Sequence, residues 1–152
     1  MTFNHSFHLL VAASLWGACS AADGQVPQDA IRTTVCELSN APVTFVGATV
    51  AIRGWIGRGR NLTLLDAKPS KGCRNVILPI VLPTTVRPAP DFKLQVDEPY
   101  RQFQKALSER THIEGTFLGR FDYLKHGKTR IRLVLRQVED LDVTPTAHPI
   151  DR

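Results

Sequence analysis

Two stretches far apart in the chain, residues 48–56 and 112–121, alternate apolar and polar side chains with a period of two and carry glycine on the apolar register. In the first, Val50, Ile52 and Ile56 share one face while Ala51, Arg53 and Trp55 share the other, and Gly54 takes the apolar register. In the second, Ile113, Phe117 and Phe121 alternate with Gly115 and Gly119 between them. Each stretch is a strand with one buried face. A glycine on that face permits the sharp coiling or bulging that lets a small sheet curl onto itself.

Three further runs complete the β pattern. Residues 62–66 follow a turn at residues 57–61 and pair with the first strand, and residues 76–82 form a third apolar run that Pro79 breaks or turns into an edge. After a hairpin turn at residues 125–128, residues 129–138 return with Ile131, Leu133 and Leu135 inside and Arg130, Arg132, Val134 and Arg136 outside. Helices are signalled twice. Thr34 and Glu37 have capping-box spacing, so a short helix opens at Val35 and ends by Pro42, with Val35 and Leu38 turned inward. Asp97 before Glu98 and Pro99 starts another, with an apolar stripe of Tyr100, Phe103 and Leu107, ending near Arg110.

The expected fold is therefore mainly β: five antiparallel strands, a helix between the third and fourth, and a short N-terminal helix. That order resembles the OB-fold barrel. The resemblance covers residues 33–141 and rests on the Val-x-Ile-x-Gly-Trp-Ile run at 50–56 and on Ile-Glu-Gly-Thr-Phe at 113–117. The lead-in at residues 35–47, Val-Cys-Glu-Leu-x-x-x-Pro-x-x-Phe-x-Gly, is similar to that of uncharacterised exported bacterial OB-fold proteins. It implies a fold and a compartment; chemistry does not travel with a fold.

The N-terminus agrees with export. Before the first charged side chain, Asp23, lies an apolar run at residues 7–16 and then the small residues 17–22. Residues 1–22 read as a secretory signal, the run being too short for the roughly 20 residues of a spanning helix. Residues 23–29 read as a linker, 30–141 as the domain, and 142–152 as a flexible tail. Leu15-Trp16-Gly17-Ala18-Cys19 resembles a lipobox, in which Cys19 would carry a lipid and tether the domain to a membrane. Trp16 holds the position three before the cysteine where that pattern has Leu, Leu15 sits one place too early, and cleavage after Ala22 fits the small-residue rule about as well. Cys36 and Cys73 are left as an even pair in an oxidising compartment, read as a disulfide, with two separately buried thiols as the other possibility.

The net charge of +5 favours anionic partners. Arg120, Lys125, Lys128, Arg130, Arg132 and Arg136 crowd residues 120–136 against Asp122. With Trp55, Arg53, Arg58 and Arg60, the arginines 130, 132 and 136 form the candidate ligand surface, where phosphates would pair and a base would stack. The same charges could serve only to discourage edge pairing. Trp55 could stack a ligand, or pack under the loop at Pro69 or against Leu38. No catalytic motif, metal-ligand spacing or cofactor motif is present: His112, His126 and His148 fall on separate elements. The expected function is a non-catalytic exported module that binds an envelope protein or polymer; the alternative is a binder of nucleic acid or another polyanion, and an unrecognised envelope enzyme stands third.

Overall fold

The computed structural model describes residues 29–124 and 130–145. The expected signal, Cys19, most of the linker, the hairpin turn at 125–128 and residues 146–152 lie outside the described residues. In chain order the elements are β1 (Ile31–Thr33), α1 (Val35–Asn40), α2 (Pro42–Phe45), β2 (Thr49–Arg58), β3 (Leu62–Asp66), β4 (Leu78–Val81), α3 (Glu98–Glu109), β5 (His112–Leu124) and β6 (Arg130–Thr144).

These strands form one mixed sheet of six, in which β2, β3, β4, β6 and β5 follow one another and β5 pairs back onto β2, so that five strands make a nearly closed ring. The expectation of a purely antiparallel sheet is corrected at two places. Short β1 runs parallel to β2, with Ile31 opposite Val50, and β4 runs parallel to β6, with Ile80 opposite Leu133. The second pairing follows from chain path. The stretch from residue 82 to the end of β5, which includes α3, carries the chain around between β4 and β6, and a crossover of this kind is what parallel neighbours require.

Glycine makes the curl possible. A β-carbon on Gly54 would collide with the Leu65 carbonyl oxygen, and one on Gly119 with the Val134 carbonyl oxygen. At both positions neighbouring backbones approach closer than any side chain allows. Inside the ring, Val50, Ile52, Leu64, Ile113, Phe117, Phe121, Leu133 and Leu135 are fully or almost fully buried. Phe103 of α3 closes one end, its ring 5.7 Å from that of Phe117 in an edge-on arrangement. Val35 and Leu38 of α1 join the same core.

Both helix starts have the caps expected of them. Thr34 Oγ1 accepts from the Glu37 N–H at 3.1 Å, and Glu37 Oε2 accepts from the Thr34 N–H at 3.0 Å. Asp97 Oδ1 accepts from the Tyr100 N–H at 3.1 Å. The α1 end of the molecule is fastened twice more. Buried Asp66 accepts from the N–H groups of Val35 and Cys36 at 2.6 and 3.0 Å, and a disulfide joins Cys36 to Cys73 across a Cα separation of 5.6 Å.

The final strand departs from simple alternation. Against β5 its register shifts between Glu114 and Thr116 and again between Leu118 and Gly119, each time by one extra residue on β6. The first shift coincides with Asp140, whose φ is 46°. The second falls at Arg136 and moves the inward positions from Leu133 and Leu135 to Val138. Val134, expected on the outer face, is fully buried. The strand also runs to Thr144, so Asp142, Val143 and Thr144 belong to the sheet and not to a tail.

Candidate functional site

A cleft of about 810 Å³ opens where the β2–β3 turn, β4 and the ends of β5 and β6 meet. Its floor is apolar, from Leu62, Ile77, Pro79, Val81, Leu124 and Ile131. Ile77 is 49% exposed and Leu124 37% exposed, large apolar groups left facing water at a concave surface. Arg60 and Asn61 stand on the turn side and Arg132 on the β6 side.

The reason for this arrangement lies in β4. Its pairing with β3 spans only Thr63 opposite Pro79 and Leu64 opposite Leu78, because Pro79 has no N–H to extend the ladder. The apolar run at 76–82 is thus longer than the strand it feeds. Leu78 and Ile80 point into the core, and Ile77, Pro79 and Val81 are left on the other register with nothing to pack against but the cleft. These residues were not singled out from the sequence as binding residues. The signal was there: an apolar run on both registers of a short strand must expose one of them unless a second layer covers it.

The basic residues singled out from the sequence are dispersed by the fold. Arg53 donates from Nε to Glu114 Oε1 at 3.1 Å and from Nη1 to the Asp140 carbonyl at 2.7 Å. Arg58 donates to the carbonyls of Ala106 and Thr111 and so fastens the C-terminus of α3. Arg132 reaches the cleft, but its guanidinium also donates to Asp122 Oδ2 at 3.1 and 3.2 Å, and Arg120 holds the same carboxylate from the other side at 2.8 Å. Arg136 lies against the Phe92 ring, 5.9 Å from its centre. The Arg130 side chain lies outside the described residues. Among the described residues of this set, Arg60 and Arg132 line the cleft. Trp55 is half-buried on β2, its ring 6.1 Å from that of His112, and is not part of the cleft.

Among the described residues no three His, Cys, Asp or Glu side chains gather into a metal-binding group, and no helix is long and apolar enough to cross a membrane. The cleft sets apolar side chains between polar and cationic flanks, a lining that suits an extended segment presenting apolar groups and an occasional negative charge. No protein-family model matches the chain, and no curated protein matches it in sequence.

Proposed function

We propose that this chain is an exported, non-catalytic binding module of the cell envelope, built as an OB-fold barrel and holding an envelope protein or polymer in the cleft at Ile77, Pro79 and Leu124. The observation that carries the reading is the position of that cleft. An OB fold presents its ligand face on its second and third strands, between the loops that follow its first and fourth strands. Here the corresponding parts are β3 and β4, flanked by the turn at Arg60 and the ends of β5 and β6. The strand order around the ring, with β4 parallel to β6 and α3 between β4 and β5, supports the barrel assignment. The Cys36–Cys73 disulfide supports an oxidising compartment and hence the removal of residues 1–22 on export. A lipid on Cys19 would hold the cleft within a linker's reach of a membrane.

The polyanion alternative draws less support. Of the proposed arginine surface, Arg53 is paired with Glu114, Arg132 shares Asp122, and Arg58 is occupied by carbonyl groups of α3 and the residues just after it. Binding to isolated envelope and to a single-stranded oligonucleotide, each at low and high salt, separates the readings. Apolar docking predicts envelope retention that survives high salt and is abolished by Ile77→Glu. Oligonucleotide binding that weakens steeply with salt and is lost in Arg60→Gln would overturn it in favour of the polyanion reading.

A further inference from the structure

A second, smaller pocket lies on the outer side of the ring, away from the Ile77 cleft. It measures about 280 Å³ and is lined by Gly47, Thr49, Asp91, Phe92, Arg120 and Arg136. Its wall is set by the connection between β4 and α3, which is pinned to β6 where the Gln95 N–H donates to the Arg136 carbonyl at 2.7 Å. That places Phe92 over both arginines, with guanidinium carbons 6.0 and 5.9 Å from its ring centre.

The charges around this pocket do not balance. Asp122 alone is ion-paired here, and it is shared by Arg120 and Arg132. Arg120 has committed its Nε and one Nη2 donor to that carboxylate, which leaves its Nη1 donors. Arg136 makes no hydrogen bond or ion pair from its side chain among the described residues, although it is half-buried. Asp91 lines the pocket but is exposed and forms an ion pair with neither arginine. The Thr49 hydroxyl, in register with Arg120 across β2 and β5, likewise has no hydrogen-bond partner among the described residues. Arg136 is itself the extra residue at the one-residue shift of β6, and bulges are often found next to binding sites.

We infer that the Arg120–Arg136 pocket is a binding site for a compact oxyanion, a carboxylate or a phosphate group, held by the two guanidinium forks with Thr49 as a further donor and Phe92 as the wall. Two like charges brought against one ring repel each other, and an oxyanion between them removes that repulsion while filling the unused donors. At about 280 Å³ the pocket has room for one such group.

Amide shifts of the 15N-labelled full chain test this in titrations with inorganic phosphate and with succinate, against chloride at equal ionic strength. Saturable shifts at Gly47, Thr49, Phe92 and Arg136 are expected with at least one of the two, and which of them binds more tightly identifies phosphate or carboxylate as the preferred class. Arg136→Gln should weaken binding at least tenfold. Arg136→Lys, which keeps the charge without the fork, should fall between, and it decides the matter if the glutamine variant does not fold. Arg60→Gln, in the other cleft, should leave this binding unchanged, so failure of one site is read separately from failure of the other. Shifts no larger than those from chloride, or an Arg136→Gln variant that binds within twofold of the parent, would overturn the assignment.

Discussion

Glu139 is a carboxylate almost fully withdrawn from water, 6% exposed on β6, with the Gln137 amide donating to Oε1 at 2.9 Å. Burial raises its pKa above the ordinary 4.5, the nearby charges of Asp140 and Asp97 raise it further, and Arg32 opposes them. A raised pKa means that the folded chain holds the proton more tightly than the unfolded one. Stability therefore falls as pH rises from about 4.5 through the raised value, and the full penalty is present above it. Glu139→Gln keeps the acceptor for Gln137 and removes the charge. Its thermal midpoint should exceed the parent's at pH ~7 and coincide with it at pH ~3.5, where both states of the parent are protonated. A variant less stable than the parent at pH ~7 and equal to it at pH ~3.5 would show that the carboxylate is needed as an anion. Residue identity made this group visible in the sequence; its burial beside Arg32 and Asp97 was not, since those three lie on separate segments of the chain.

At the level of elements, the helices show how local signals and distant partners divide the work. The start of α3 is written in Asp97, Glu98 and Pro99, side by side. The sequence also places its end near Arg110, but not the partner that meets it: Arg110 adopts the left-handed conformation with φ 56°, and Arg58, which arrives from the far end of β2, donates to the carbonyls of Ala106 and Thr111. A guanidinium at a helix C-terminus satisfies orphan acceptors and meets the negative end of the helix dipole. Arg58→Ala should destabilise the fold by about 1–3 kcal/mol, in the range for hydrogen bonds to a charged donor. Hydrogen exchange should quicken at residues 106–111 and stay unchanged at β6, whereas a ligand-binding Arg58 would leave exchange in α3 as it was. The same division explains β1 and β6. Three residues of β1 are too few to show a period, and the register shifts of β6 against β5 carry no local signal.

For the whole molecule, closure of the ring brings together segments that begin more than sixty residues apart, as in the pairing of Arg53 with Thr116. Long-range pairings of this kind carry a large loop-closure cost in entropy, and the Cys36–Cys73 disulfide offsets part of it by restricting the unfolded chain. For a sequence separation of 37 residues the loop-entropy estimate is about 4 kcal/mol. The double variant Cys36→Ser with Cys73→Ser should lower the denaturant midpoint accordingly, and a midpoint unchanged within error would mean that Asp66 and the core hold α1 without the cross-link. The local chemistry of the chain was enough to determine the strands with glycine on their inner register and the capped helices, because each depends on neighbours within a few residues. Which strand lies beside which, where β6 slips, which arginines are spent on carboxylates and carbonyls, and which register of residues 76–82 is left open to form the cleft were decided only by tertiary structure. Hydrogen-bond partners, charge partners and shelter from water are supplied across the ring by residues remote in sequence.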